Sequence, residues 1–295
     1  MNTFRQALHG DGPVISAELS LRHDSGAADL LDQAEPLRNV VDGLQVTDNP
    51  HAWVQISPLA AASLLIEAGL DAIPQLTCRD RNRIALQSDL CGLRALGVSS
   101  LVLNKGGQVP AGHTLRAKPV FDVSCRELIS MASAMNGSET GGPESNFLIG
   151  TGARVFAPPP GWDAEMMLAR ASAGAQFLQT QLCFDAAVLR VYMQRLVEAR
   201  ITWDFAVIVS LAPLPGVDTA HWLNENNRAA LIPAHVLRRL EAAGDPEREG
   251  ISLCAELMQE FAGIPGVSGF NLHTLGNPQA VVAAIAESGL RPATT

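Results

Sequence analysis

Residues Pro74–Leu90 read PQLTCRDRNRIALQSDL. The segment just before and into this run, with Ala72, Ile73 and Leu76, is a short apolar strand. It runs straight into a polar turn, Thr77, Cys78, Arg79, Asp80, Arg81 and Asn82. The spacing of Leu86, Leu90, Leu93 and Leu96 then predicts an amphipathic helix over Asn82–Leu96. A strand that ends in polar groups just before a helix is how parallel α/β folds assemble sites at the carboxyl ends of their strands.

The same alternation continues in both directions. Strands are expected at Val14–Leu19, Gly43–Thr47, Ala72–Thr77, Ser100–Leu103, Asn146–Thr151, Phe177–Gln181, Phe205–Ser210 and Gly269–Leu272. Helical patterns fill the gaps at Ala27–Val41, Pro58–Ala68, Asn82–Leu96, Cys125–Asn136, Trp162–Ala173 and Ala186–Ala199. A longer helical region spans Thr219–Phe261, and Pro278–Ser288 closes the series. Strands separated by helices of ten or so residues imply right-handed βαβ units and a parallel sheet. Eight units with no second composition regime predict one (β/α)8 TIM barrel of the α/β class spanning 1–295. An open doubly wound sheet is the alternative, but no G-x-G-x-x-G turn follows the first strand. Asn136–Ser145 reads as a surface loop, and Val155–Trp162, with three successive prolines, as a stiff connection. The extra helical region after the seventh strand suits a lid or substrate-binding element, or plain packing.

Bulk properties narrow the function. The chain has 295 residues, 47% of them hydrophobic, and a formal charge of −9. Such a charge with no basic cluster argues against a nucleic-acid surface, though a local pair of cations can still hold an anionic cofactor. Five cysteines, scattered and without C-x-x-C spacing, point to free thiols in a reducing compartment and to no metal site. No signal-like run and no apolar stretch near the roughly 20 residues of a bilayer span are present. The expectation is a cytoplasmic protein without a membrane partner; whether it forms a homo-oligomer stays open.

In a barrel the strand ends meet although they lie far apart in sequence. Glu18 sits in the apolar run of the first strand, where an ionised carboxylate needs a partner or carries a raised pKa. Thr47 and Asp48 end the second strand, where turn and capping chemistry is the plainer reading. Gln75 ends the third, and Arg79 and Arg81 are expected to pair with Asp80 or nearby acids at the rim. The fourth strand ends Asn104, Lys105, Gly106, Gly107, and the glycines allow close backbone approach to a ligand. In the sixth, Phe177, Gln179 and Gln181 share a face, and a neutral amide there suits a heteroaromatic ring with donors and acceptors. Phe184 follows. His273 at the eighth strand, taken alone, reads as structural more readily than catalytic.

Six segments in order resemble the methylenetetrahydrofolate reductase family: ISAELS at the first strand, VTDNP at the second, PQLTCRDRNRIALQSDL at the third, then KPVFDVS at Lys118–Ser124, AGAQFLQTQLCFD at Ala173–Asp185 and GVSGFNLHTLG at Gly266–Gly276. The resemblance implies a barrel that carries FAD at the strand ends, takes hydride from NADH or NADPH, and reduces a methylenetetrahydrofolate to methyltetrahydrofolate. It implies that Glu18 is the general acid, protonating the ring nitrogen so that the five-membered ring opens to a reactive iminium. Gln181, with Phe184 and His273, would face the folate. Thr47, Asp48, Gln75, Asn104, Lys105, Gly106, Gly107 and Arg170 would line the flavin, Arg170 standing where the family usually has a lysine, and Asp163 would contact its ribityl or ribose portion. The chain departs from the family at LVLNKGGQ, Leu101–Gln108, where a Gly-Asp pair is usual and no acid occurs. The turn TGARVFAPPP after the fifth strand is altered too. Two other functions therefore stand beside the reductase. One is a flavin-free relative that passes hydride directly or transfers a methyl group, the other a folate-binding subunit without turnover.

Overall fold

The computed structural model describes residues 3–136, 146–226 and 230–291. A short helix α1 (Phe4–Leu8) precedes β1 (Val14–Glu18), followed by α2 (Ala27–Ala34), β2 (Gly43–Val46), α3 (Pro58–Glu67), β3 (Ala72–Thr77), α4 (Arg83–Ala95) and β4 (Ser100–Asn104). Then come α5 (Cys125–Met135), β5 (Leu148–Ala153), α6 (Glu165–Ala173), β6 (Phe177–Leu182), α7 (Ala186–Glu198), α8 (Ile201–Asp204) and β7 (Ala206–Leu211). The chain ends through α9 (Val217–Asn226), α10 (Ala234–Ala242), α11 (Pro246–Ala262), β8 (Val267–His273) and α12 (Pro278–Ser288). The eight strands close into a parallel barrel in the order β1-β2-β3-β4-β5-β6-β7-β8. It is the (β/α)8 barrel expected from the alternation.

Local chemistry sets the boundaries. Helix α4 starts where Asn82 accepts the Ala85 N–H, and Leu86, Leu90 and Leu93 are fully buried against the barrel. The helix expected over Ala27–Val41 instead ends at Ala34 and tightens into a 3₁₀ turn, Glu35–Leu37. Pro36 is the cause, since it lacks the N–H that the next helical bond needs. The long region after β7 divides into three helices. Pro233 precedes α10, while Asp245 caps α11 through the Arg248 N–H with Pro246 in its first turn. The loop expected at Asn136–Ser145 lies, from 137 to 145, outside the described residues. No helix among the described residues is long and apolar enough to cross a membrane.

Two apolar layers flank the strands. Leucine, valine and isoleucine side chains on the outer faces pack against the helices. Inside, a small plug of Phe4, Val14, Ile73, Val102, Leu148, Phe177 and Ile208 closes the amino-terminal end. The Phe177 ring fits because position 150 is glycine: a Cβ there would stand 2.1 Å from its Cζ. Helix α1 stoppers this end. Thr3 and Gln6 form a capping box, the Phe4 ring lies 5.3 Å from that of Phe177, and the Phe4 N–H donates to Asp71 Oδ2 at 2.8 Å. Polar side chains consequently concentrate at the other end.

The stopper has a measurable consequence. Burial lifts the Asp71 carboxyl from 3.8 to about 6, and the Phe4 N–H and nearby Arg5 oppose this only in part. A folded-state pKa above the unfolded one means stability is lost as pH rises from about 4 to about 6, by about 3 kcal/mol for a shift of this size. Asp71→Asn keeps an acceptor for Phe4 and removes the charge. Urea unfolding should show the variant more stable than wild type by up to about that amount at about pH 7, with the gap closed below about pH 4. An equal change at both pH values would contradict this reading.

Candidate active site

The inward faces of the strands stack in layers because alternate residues point into the barrel. Above the apolar plug, Ser16 on β1 donates to Asn271 Oδ1 on β8 at 2.8 Å, and both are buried. One step further toward the carboxyl ends the same two strands present Glu18 and His273, aligned as direct partners. Around them opens a cavity of about 1140 Å³, which Thr47, Gln75, Asn104, Gly152, Gln179 and Gln181 also line.

Glu18 is the one carboxyl lining this mouth among the described residues, its side chain 16% exposed. His273 Nδ1 lies 3.1 Å from Glu18 Oε1, and Gln75 Nε2 donates to Oε2 at 3.3 Å. Burial pushes the Glu18 carboxyl above the ordinary range, with His273 and the Gln75 bond opposing. A carboxyl held in this way keeps a proton at higher pH than a solvated glutamate, as a general acid requires. The partner residues come from strands adjacent to or near β1 in space yet far away in sequence. Spacing within one strand does not reveal them.

The opposite wall is built from β3 to β6. Asn104 Oδ1 accepts the Gly152 N–H at 2.8 Å and ties β4 to β5. A Cβ at 152 would stand 2.8 Å from that oxygen, so glycine keeps this wall flat. Gly106, at φ +82°, turns the chain beside Thr77 and Arg79. Arg170 reaches back from α6 and donates to the Gly152 carbonyl at 2.7 Å, bracing the wall from behind. Gln179, buried, and Gln181, exposed, both line the cavity next to it, and the register of β6 against β7 shifts between Gln179 and Leu182.

Several residues singled out in the sequence sit elsewhere. The Asp48 side chain is wholly buried: it accepts from the Thr77 N–H at 2.7 Å, from Thr77 Oγ1 at 2.9 Å, and from Arg81 Nη2 at 2.7 Å. Arg81 also holds Asp89, and Arg79 pairs with Asp80. Asp48 thus anchors the turn after β3 and does not line the cavity. Phe184 is buried in the outer core, because it falls past the irregular end of β6. Lys105 is exposed, with its ammonium 5.6 Å from the centre of the Phe121 ring. Gly107 is exposed with open space around it, and Asp163 is exposed and accepts the Glu165 N–H. No group of His, Cys, Asp and Glu able to hold a metal ion occurs among the described residues.

The rim holds residues the strand pattern did not single out. Gln55 Nε2 donates to Thr47 Oγ1 at 3.0 Å and fixes its rotamer. His51, Trp53 and Trp222 line the mouth on one side, and His113, Thr114 and Leu115, from the connection after β4, line it too. That connection is drawn in by Val120 N–H to Arg79 carbonyl and Phe121 N–H to Cys78 carbonyl bonds, at 2.7 and 3.1 Å. A tryptophan seven residues beyond the end of β2, in the connection that leaves the mouth, is the signal that would have found Trp53; Trp222 lies on the extra helix after β7.

The profile of the methylenetetrahydrofolate reductase family matches residues 3–289. A curated relative from Caenorhabditis elegans, described as a probable methylenetetrahydrofolate reductase (NADPH), is 24% identical over 245 residues. The match covers 80% of this chain but 35% of that protein, so the chain spans about a third of the relative's length. Among solved structures, an uncharacterised protein from Clostridium thermocellum, described as binding two copies of 5-methyl-5,6,7,8-tetrahydrofolic acid, superposes with a TM-score of 0.62 at 13% identity, over 96% of each chain. DmoA from Hyphomicrobium sulfonivorans gives 0.57 at 11% identity, over 94% of this chain and 87% of that one. At these identities the two structures speak for the fold.

Proposed function

This chain belongs to the methylenetetrahydrofolate reductase family, and on that premise we propose that it reduces 5,10-methylenetetrahydrofolate to 5-methyltetrahydrofolate with NADH or NADPH and FAD. The observation that carries the reading is Glu18, a carboxyl with a raised pKa at the mouth of a cavity whose polar lining otherwise consists of amides, hydroxyls, imidazole and indole rings and Arg22. A proton from Glu18 to a nitrogen of the five-membered ring breaks its bond to the bridging carbon. The iminium carbon left behind takes the hydride and becomes the methyl group. His273 and Gln75 hold the carboxyl in place through its two oxygens. The described binding of 5-methyltetrahydrofolate by the clostridial barrel supports the choice of ligand.

The β3–β6 wall suits a flat flavin ring. Gly152 removes the Cβ that would stand proud of it, while Gln75, Asn104 and Gln179 offer amides along it. When bound there, FAD supplies a two-electron carrier between the nicotinamide and the folate. Thr47, held by Gln55, and Asn104, held by Gly152, are the residues with fixed positions for that ring. Of the cations near the β4 and β5 turns, Lys105 lies over Phe121 and Arg170 bonds the Gly152 carbonyl, while Arg154, directly after β5, is exposed. These engagements, with the acid-free β4 turn, favour as a second reading direct hydride transfer without flavin. The absorption spectrum of the purified protein separates the two. A flavin band bleached by NADH or NADPH supports the first; a colourless protein that still makes 5-methyltetrahydrofolate supports the second. The five free cysteines fit the cytoplasm as its compartment.

Gln181 lines the cavity and would bond the pterin. Gln181→Ala is expected to weaken 5-methyltetrahydrofolate binding by about 1–3 kcal/mol, the cost of one hydrogen bond to a ring group shielded from water. Oxidation of the nicotinamide by bound flavin should change less. Equal damage to both would assign Gln181 a structural part instead.

A further inference from the structure

Three aromatic rings on the rim have no part in the chemistry above. Trp53 and His51 belong to the turn after β2, and Trp222 to α9 after β7. Strands β7, β8, β1 and β2 are consecutive around the barrel, so these two connections meet over the pair that separates them. That pair carries Glu18 and His273. The ring centres lie 5.8 Å apart for His51 and Trp222, 6.4 Å for His51 and Trp53, and 6.5 Å for Trp53 and Trp222. The rings are packed edge to face or tilted, too close for another ring to enter between them. Yet Trp53 stays 62% exposed and Trp222 40% exposed.

The turn that presents them is strained. Asn49, His51 and Ala52 all have left-handed backbone, at φ 47°, 54° and 66°. Such residues cost free energy and persist where surrounding contacts hold them, commonly at binding sites. Here Arg79 donates to the Asn49 carbonyl at 2.7 Å, and Asn49 Oδ1 accepts the Gln55 N–H at 3.2 Å. A tryptophan held out to solvent by a pinned, strained turn at a cavity mouth is shaped to present a π face.

Resting on the folate reading above, we infer that Trp53, His51 and Trp222 form a stacking wall for the uncharged aryl ring of the ligand's side arm, beside the pterin ring at Glu18. The wall has the chemistry for such an occupant. Burial and the neighbouring Arg79 hold the His51 imidazole below its ordinary pKa, so the three rings are neutral around pH 7. Arg22 is the one Lys or Arg lining the cavity among the described residues, and it is taken up by Asp24 through two bonds at 3.0 and 3.3 Å. An aryl amide docks without a cation, so this stretch of the rim has what such an occupant requires. Aromatic stacking on tryptophan contributes to affinity without requiring a charge.

Two probes separate the arm from the reacting ring: 5-methyltetrahydrofolate, which has the aryl arm, and 6-methyltetrahydropterin, which lacks it. Dissociation constants are measured by calorimetry for the wild type, Trp53→Ala, Trp222→Ala and Trp53→Phe. Both alanine variants should bind 5-methyltetrahydrofolate roughly tenfold more weakly and the pterin unchanged, with Trp53→Phe restoring most of the loss. Equal weakening of both probes, no weakening of either, or a loss confined to NADH and NADPH would overturn the wall's assignment. A wild-type protein that binds neither probe overturns the folate reading itself, and that result is seen before any variant is compared.

Discussion

Glu18→Gln is expected to lower 5-methyltetrahydrofolate formation by about 10²–10⁴-fold, the usual loss for a removed general acid. The amide fills the same space between His273 and Gln75 but has no acidic proton to give. Binding of 5-methyltetrahydrofolate and oxidation of NADH or NADPH by bound flavin should survive, because neither needs that proton. Burial raises the pKa of Glu18, and the protonated form is the active one. The wild-type rate should therefore fall as pH rises through that pKa, and the variant's residual rate should lack this limb. A variant that turns over at near wild-type rate, or keeps the same alkaline limb, would remove Glu18 from the mechanism.

Asp48→Ala carries the largest expected cost to the fold. The carboxylate has no solvent access and satisfies the Thr77 N–H, the Thr77 hydroxyl and the Arg81 guanidinium together. Removing one partner of a buried pair and leaving the other costs about 3–5 kcal/mol. For a chain of this size that corresponds to a fall in Tm of roughly 10 °C. Scanning calorimetry reads it directly. The arginine keeps Asp89, so Asp48→Asn, which still offers an oxygen to Thr77, should lose less. If Asp48→Ala melts with the wild type, the turn after β3 does not depend on this residue. Its part would then have to be sought with a ligand.

Much of this architecture is legible in the chain because barrel strands and helices announce themselves locally. Ala72–Thr77 and Pro278–Ser288 come out as read, bounded by apolar runs and by Asn277 and Pro278 at the helix start. Glu18 stands out because a carboxylate in an apolar run must have an explanation. Gln75 and Gln181 follow from being polar at strand ends that point inward. What stayed hidden depends on approaches between distant segments. Nothing near position 48 tells that Arg81 will reach it from the next turn. Phe184 falls beyond an irregularity between β6 and β7, which carries it into the core. Helix α1 is too short to show a periodicity, and its identity as a stopper rests on Asp71 and Phe177. The aromatic wall needs the closure of the barrel, since only closure brings the turn after β2 and the helix after β7 together.

The most direct measurement is of product. Purified protein is mixed anaerobically with 5,10-methylenetetrahydrofolate and either NADH or NADPH, and 5-methyltetrahydrofolate is followed by chromatography. The account predicts 5-methyltetrahydrofolate formed in step with oxidation of one of the two nicotinamides, and its formation lost in Glu18→Gln. Nicotinamide left unoxidised and no 5-methyltetrahydrofolate formed with either donor, in the presence of added FAD, would contradict it.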